Sequence, residues 1–254
     1  MIYGFYSLTL MTAMSVLTTD LYAKCFVGIP DDCPNGQVCA KFNAAGETKC
    51  FEKEKLAPII FDLPFDARAS VRCTQSGRHS KATHTWHNML HAIDLATPYD
   101  QPPSPVFASA PGKAFVFAEC PDPKGTPEQT KVDNCGVGYG NHVKILHEGG
   151  WVSLYAHLSK VHVKSGTTIQ RGQKIGLEGS TGQAAYRHLH WDVHRMEGKS
   201  WESDLAKVAW LGVSVPFQFR VAINGNKKLI RSDELACRWL DMDQAPWSGT
   251  YVGQ

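Results

Sequence analysis

Short runs of alternating apolar and polar residues recur along the chain, and this alternation has the period of a β-strand. The clearest run is YRHLHWDVH, residues 186–194. Because successive side chains of a strand point to opposite faces, this run would have one polar and one apolar face. The polar face would carry His188, His190, Asp192 and His194, and the apolar face Leu189, Trp191 and Val193. Such a strand is either an amphipathic strand with a solvent-exposed polar face or one wall of a metal or catalytic site.

Glycine, proline and asparagine separate the other strand-like runs and predict tight turns between them. Three segments have two runs around one turn, centred near Pro111, Gly149 and Gly225: residues 105–120, 141–158 and 215–230. Only residues 203–210, SDLAKVAW, have a weakly helical pattern. The prediction is a mainly β protein built on an antiparallel β-sheet.

Composition and charge narrow the class of protein. The 254-residue chain is 43% hydrophobic, which is enough to bury a core. Its formal net charge is only +2, and no run of Lys and Arg is interleaved with aromatic residues. Nucleic-acid binding is therefore not expected.

The N-terminal residues 1–23 are apolar and hydroxylated, end in Leu-Tyr-Ala, and are typical of a secretory signal peptide. The segment lacks an early basic residue, and Asp20 lies close to the expected cleavage site. An uncleaved anchor is the alternative, but the Ser, Thr and Tyr content makes a poor membrane span. We expect a secreted or periplasmic protein that has no membrane span once the signal is removed.

The even number of cysteines, eight, also favours an oxidising compartment. Four of them lie in residues 25–50, a segment too polar for a core of its own, so two disulfides are expected there with three pairings open. A zinc knuckle is disfavoured because no Cys-x-x-Cys pair occurs. Cys120 and Cys135 bracket a polar loop that a bridge would stabilise by about 3 kcal/mol. Cys73 and Cys237 would then pair by elimination.

The eleven histidines raise the question of metal chemistry. A hydrolytic zinc site needs three N or O ligands and one open position for water. His190-Trp191-Asp192 also matches the start of a two-His-one-carboxylate iron site, but no histidine follows His194 to complete that site.

Five motifs in order carry a family resemblance: HAIDLATP, GYGNHVKILH, LYAHLSKV, GTTIQRGQKIGLEGSTG and HLHWDV. Together they resemble the lysostaphin/LytM-type zinc metallopeptidases over residues 83–195. The resemblance implies an antiparallel β-sheet with a narrow groove, one zinc ion per chain, and cleavage of peptide cross-links in peptidoglycan. The expected organisation is a signal peptide (1–23), a Cys-rich disulfide module (24–55) and a peptidase domain (56–254) with a C-terminal β-hairpin extension.

The resemblance also implies site residues. Asp94 and His190 would be zinc ligands, and His157 and His188 would be the catalytic histidines. The family usually has a further ligand histidine four residues before the aspartate, where this chain has Leu90. Some relatives place that histidine further upstream, which favours His84 and leaves His87 as the alternative.

Other residues near these motifs have less specific expectations. Tyr186 is expected to shape the groove wall, and Arg187 either contacts a substrate carboxylate or is solvated. Residues 99–105 would form part of the rim. His91 would be a strand residue, and the remaining histidines would be surface groups or neighbours of the ligands: His79, His142, His147, His162 and His194.

The resulting hypothesis is a monomeric zinc metalloendopeptidase that hydrolyses peptide bonds in peptidoglycan stem peptides or cross-bridges. The alternative is a non-catalytic LytM-like protein that binds peptidoglycan or activates a partner hydrolase. A third possibility is an exported protease that acts on protein substrates.

Overall fold

The computed structural model describes residues 25, 33–42, 45–76, 84–121, 123, 125–196, 201–207, 212–235, 237 and 247–248. The predicted signal peptide and His79 lie outside these residues. Strands predominate in the described part, and its one α-helix, α1, is Trp201–Leu205. The strands are β1 (Val38–Lys41), β2 (Thr48–Phe51), β3 (Ile60–Asp62), β4 (Arg72–Ser76), β5 (Ile93–Ala96), β6 (Pro105–Phe107), β7 (Gly112–Phe117), β8 (Gly125–Thr126), β9 (Gln129–Thr130), β10 (Asn141–Leu146), β11 (Trp151–Leu158), β12 (Lys160–Val161), β13 (Thr168–Ile169), β14 (Lys174–Leu177), β15 (Leu189–Arg195), β16 (Val213–Ser214), β17 (Gln218–Ile223), β18 (Asn226–Arg231) and β19 (Trp247–Ser248).

The main sheet is antiparallel and has the strand order β13-β7-β10-β11-β15-β5-β4, with β16 paired to β15. The predicted hairpin that turns at Gly149 is confirmed as β10 and β11, which are joined by a short 3-10 turn at Glu148–Gly150. The two strands predicted around Pro111 are β6 and β7, but they belong to different sheets, because β6 pairs with β14. The predicted mainly β, antiparallel fold class is confirmed.

A second sheet covers one face of the main sheet and closes the core. In it, β17 pairs antiparallel with β18 and β19 and parallel with β3. The predicted closing hairpin is thus confirmed as β17 and β18. Trp191 of β15 packs in the core with ring centroids 4.9 Å from Phe217 and 5.1 Å from Phe219. Buried aromatic rings of this kind each remove on the order of 200 Å² from water, about 5 kcal/mol at 25 cal/mol per Å².

The polar face of β15 is buried as well, which rules out the alternative of an amphipathic strand with a solvent-exposed polar face. Leu189, Trp191 and Val193 point into the core as predicted, while His190 and Asp192 lie on the opposite face and are also buried. The main sheet therefore has covered faces on both sides. Buried imidazoles and carboxylates need hydrogen-bond or ion-pair partners.

Four disulfides join the eight cysteines. In the β1–β2 hairpin Cys25 pairs with Cys39 and Cys33 pairs with Cys50, so these thiols are not available for a zinc knuckle. The expected bridges Cys73–Cys237 and Cys120–Cys135 are both formed. The division into residues 24–55 and 56–254 stays a prediction.

The α-helix found among the described residues differs in position from the predicted helical segment. It begins at Trp201, two residues before the predicted segment, and ends at Leu205. Within the described residues, no helix has the length and apolar character that a bilayer crossing requires.

Candidate active site

Asp94, on the interior strand β5, is the residue around which the candidate site is built. Strand pairing places it directly opposite His190 of β15. Its Oδ1 lies 3.2 Å from His190 Nδ1 and 3.2 Å from His84 Nε2. All three side chains are buried, and the three possible ligand atoms lie within 4.8 Å of one another. The strands thus bring together groups that are 96 residues apart in the chain.

His84 reaches this cluster from a segment outside the main sheet, a few residues before β5. Its Nδ1 donates a hydrogen bond to the Ala92 carbonyl at 3.1 Å, so Nε2 is left to face Asp94. His87, the alternative, instead stacks on Phe51 with ring centroids 3.8 Å apart. The structure therefore brings His84 to Asp94 and His190, and it leaves His87 outside this group.

His157 and His188 form a pair of imidazoles beside the cluster, with ring centroids 4.7 Å apart. The Nδ1 of His157 donates to the Thr181 carbonyl, and the Nδ1 of His188 donates to the Tyr186 carbonyl, both at 2.9 Å. With Nδ1 protonated, the neutral rings present the lone pair of Nε2. His188 Nε2 is 3.6 Å from Asp94 Oδ2, so this edge of the pair faces the cluster.

The backbone at His157 has an unusual conformation, with φ at +62°. The pairing of β10 and β11 shifts register between Asn141 and Val143, opposite this residue. A bulge of this type redirects a side chain out of the regular alternation of a strand. Left-handed φ values at non-glycine residues cluster at functional sites.

The backbone around His157 is packed so closely that two positions, Gly179 and Gly140, have no room for a side chain. A Cβ at Gly179 would lie 2.6 Å from the His157 carbonyl oxygen and 2.3 Å from Ser159 N. At Gly140, φ is +62° and a Cβ would lie 2.3 Å from the Thr181 carbonyl oxygen. These contacts fix the position of Thr181, whose carbonyl orients His157.

The electrostatics of the site favour an ionised Asp94 and neutral rings at His157 and His190, but the protonated form of His84. Although burial alone would raise it, the neighbouring His84 and His188 and the hydrogen bonds from His190 and His84 hold the pKa of Asp94 well below its usual value. Burial lowers the pKa of His157 and of His190. Burial also acts to lower the pKa of His84, but the Asp94 carboxylate outweighs it and raises that pKa overall.

Part of the chain that contains these residues is similar in sequence to known peptidases. Residues 88–202 match the sequence profile of peptidase family M23. This part of the chain is similar to M23 peptidases. Asp94, His157, His188 and His190 lie inside the matched M23 segment, whereas His84 and His87 precede it.

Curated relatives share the M23 segment over part of their length. Peptidoglycan DD-endopeptidase ShyA of Vibrio cholerae is 42% identical over 77 residues, which are 28% of this chain and 18% of that protein. Peptidoglycan DD-endopeptidase ShyB of the same organism is 34% identical over 103 residues, 41% of this chain and 20% of that protein. The chain spans about a fifth of the length of these relatives. A crystal structure of a zinc containing peptidase from Vibrio cholerae aligns with a TM-score of 0.37 at 26% identity, over 63% of this chain and 41% of that one.

The donor set of His84, Asp94 and His190 fits a zinc ion. Two imidazole nitrogens and one carboxylate oxygen are the ligand types found in hydrolytic zinc sites. The second nitrogen of His84 is bonded to a backbone carbonyl, which is the usual arrangement behind a zinc-bound histidine. His190 offers Nδ1 on the Asp94 side.

Gln75 of β4 was missed by the sequence analysis. Its Nε2 donates to Asp94 Oδ2 at 3.0 Å, which holds the carboxylate so that Oδ1 faces the two imidazoles. No motif marks this position, because the contact arises from the pairing of β4 with β5. The Thr181 carbonyl, by contrast, lies in the GSTG stretch that the resemblance includes.

The guanidinium of Arg187 is buried and paired within the protein, so the expectation that it is solvated is wrong, and its contact with a substrate carboxylate stays a prediction. Nε lies 3.3 Å from Glu178 Oε2, and the terminal nitrogens donate to the carbonyls of Pro98 at 2.6 Å and Gln101 at 2.9 Å. Glu178 is fully buried and needs this cation. Tyr186, the preceding residue, lies against His188 with ring centroids 4.6 Å apart.

The other histidines have varied environments. His91 lies in a turn before β5 and is not a strand residue. His142 and His147 are buried, and His162 is exposed. His194 Nε2 contacts Asp192 Oδ2 at 2.9 Å and the Asn88 carbonyl at 3.0 Å.

Proposed function

We propose that this protein is a zinc metalloendopeptidase that hydrolyses peptide bonds in peptidoglycan stem peptides or cross-bridges. The observation that carries the proposal is the convergence of His84 Nε2, Asp94 Oδ1 and His190 Nδ1 beside the imidazole pair of His157 and His188. The names of relatives that share the M23 segment support peptidoglycan as the substrate.

In this proposal the three ligands hold one zinc ion per chain, which supplies Lewis-acid activation of a water molecule and of the scissile carbonyl. His157, which burial keeps neutral by lowering its pKa, accepts a proton from the attacking water at Nε2. His188 lies between His157 and Asp94, so the pair can keep this proton and return it to the leaving amine. The Thr181 and Tyr186 carbonyls keep both rings in the required tautomer.

A non-catalytic binding protein would lack one or more of the metal ligands or catalytic histidines, whereas an enzyme needs all of them. Here His84 takes the place of the missing ligand at Leu90, and the other four positions match the family pattern. This complete set supports the enzymatic proposal. A secreted or periplasmic location is supported by the four disulfides, which persist in oxidising compartments. The monomeric state stays a prediction.

The test uses purified protein, purified sacculi and mass spectrometry of the released peptides. We expect about one zinc per chain and clearing of the sacculi, with products cut at peptide bonds. His188→Ala should keep its zinc and its unfolding midpoint but lose activity by at least about 100-fold, the lower range for general acid–base catalysis. His162→Ala, an exposed histidine, is the matched control. A fully active His188→Ala protein would contradict the mechanism, and cleavage of proteins but not sacculi would contradict the substrate.

A further inference from the structure

The disulfide-bonded hairpin of β1 and β2 is bonded to the segment that delivers His84. Lys41 N, at the end of β1, donates to the Thr85 carbonyl at 2.8 Å, and His87 N donates back to the Lys41 carbonyl at 3.0 Å. These two bonds form a parallel bridge between Lys41 and Trp86. The hairpin thus adds backbone pairing to the residues that directly follow a candidate ligand.

Side chains add to this contact. Phe51, the last residue of β2, stacks on His87 with an interplanar angle of 10°. The Lys41 ammonium lies 5.8 Å from the centroid of the Trp86 ring. The Cys25–Cys39 and Cys33–Cys50 bridges hold the hairpin together, since β1 and β2 are too short to bury a core of their own.

The segment between His84 and β5 is also bonded to two strands of the main sheet, β15 and β16. His194 of β15 contacts the Asn88 carbonyl at 3.0 Å, and Ser214 of β16 accepts a hydrogen bond from His91 N at 3.0 Å. The chain between His84 and β5 is therefore bonded to both the hairpin and the main sheet. Removing the hairpin contact would take away one of these two attachments.

We propose that the hairpin is a positioning element for the zinc ligand His84 and that zinc affinity depends on its docking at residues 85–87. The identity of the metal rests on the proposed function. The matched M23 segment begins at residue 88, so it contains neither the hairpin nor His84. The chain brings its first ligand from outside that segment and uses the Cys-rich hairpin to hold it in place.

The backbone contact is tested with Lys41→Pro and Lys41→Ala. Proline removes the N–H that bonds Thr85, whereas the hairpin's own neighbouring bond, Phe42 N to the Glu47 carbonyl, is kept. Alanine keeps the N–H and removes only the side chain over Trp86. Zinc affinity of the metal-free protein is measured by competition with a chromophoric chelator. We expect Lys41→Pro to bind zinc about tenfold more weakly, as for loss of outer-shell support, and Lys41→Ala to stay within about twofold.

The side-chain contact is tested with Phe51→Ala, and Phe42→Ala is the matched control. Both residues lie on the hairpin and both contact Lys49, but Phe42 is exposed, whereas Phe51 stacks on His87. We expect Phe51→Ala to weaken zinc binding about tenfold and to alter the visible absorption of the cobalt-substituted protein. Phe42→Ala and the ring-preserving Phe51→Tyr should match the wild type in both measurements.

Amide hydrogen exchange of the metal-free protein separates the two proposals. The His87 amide, which bonds the Lys41 carbonyl, should exchange faster in Lys41→Pro and Phe51→Ala than in Phe42→Ala. If the wild type binds no zinc, the proposed function fails, and the exchange rates still decide the positioning role. Unchanged exchange at residues 85–88, or unchanged zinc affinity in both variants of a zinc-binding protein, would overturn the inference.

Discussion

At the scale of single residues, the Asp94 carboxylate uses both of its oxygens. Oδ1 faces His84 and His190, and Oδ2 accepts a hydrogen bond from Gln75 and faces His188. A buried carboxylate with this many polar neighbours is stabilised in its ionised form. The carboxylate thereby links the proposed zinc ligands to the proposed catalytic pair.

The two histidines that compete for the first ligand position have different contacts and therefore different expected effects. His84→Ala removes a proposed ligand and should weaken zinc binding by more than about 100-fold, beyond the range of outer-shell partners. His87→Ala removes the ring that stacks on Phe51 and should weaken zinc binding by about tenfold or less. Zinc titration of both metal-free variants measures the difference. Equal losses in the two variants would contradict the assignment of His84.

At the scale of elements, the segments around the site are joined by buried polar contacts. Glu178 follows β14 and accepts hydrogen bonds from the backbone and hydroxyl of Thr97, three residues after Asp94. Arg187, directly before His188, pairs with the same carboxylate. This ion pair thus joins the end of β5 to the start of β15, the two strands that carry Asp94 and His190.

Breaking this ion pair should be costly, because one charge would stay buried without its partner. Arg187→Met is expected to lower the free energy of unfolding by about 3–5 kcal/mol. The double variant Glu178→Gln/Arg187→Met removes both charges and should recover part of that loss. Denaturant unfolding of wild type, single and double variants gives the comparison. If the double variant were less stable than Arg187→Met, an unpaired charge on Glu178 would not explain the instability of the single variant.

At the scale of the whole molecule, the main sheet buries ionisable groups on both faces, which links its stability to pH. His147 donates to the Pro111 carbonyl and lies 2.9 Å from Ser153 Oγ. Burial lowers the pKa of His147 to about 4, and burial does the same for His142. Both rings are therefore neutral in the folded protein near neutral pH, and folding opposes their protonation.

Stability should fall as the pH is lowered from 6.5 towards 4. Within this window the unfolded chain binds a proton at residue 147 that the folded chain does not, so the free energy of unfolding decreases with decreasing pH. The loss from this one residue amounts to roughly 3 kcal/mol at pH 4. Unfolding measured from pH 7 to 4 should show a shallower slope for His147→Gln than for wild type. Identical slopes would mean that His147 is protonated in the folded state.

The disulfides stabilise the molecule to different extents because they close loops of different length. Cys73 and Cys237 are separated by 164 positions and Cys120 and Cys135 by 15. On the chain-entropy account, the long bridge contributes about 5 kcal/mol and the short one about 3 kcal/mol. The Ser/Ser replacement at residues 73 and 237 should therefore lower the thermal midpoint more than the replacement at 120 and 135. The reverse order would show that strain or residual unfolded structure outweighs loop length.

The local features of this fold follow from short-range patterns in the amino-acid sequence. The alternation in residues 186–194 predicted which side chains of β15 enter the core, and the turn residues predicted the β10–β11 and β17–β18 hairpins. The order of the motifs also indicated Asp94, His157, His188 and His190 as residues to be brought together. Short-range periodicity and turn chemistry suffice here, because a strand's alternation and a tight turn are set by residues only a few positions apart.

The contacts between distant groups, by contrast, follow from the packing of the folded chain. It placed His84 rather than His87 beside Asp94, buried Arg187 against Glu178, and docked the disulfide hairpin on residues 85–87. It also buried both faces of β15, where the pattern alone left an exposed polar face open. These outcomes depend on packing between segments far apart in the chain, and local periodicity carries no information about such contacts.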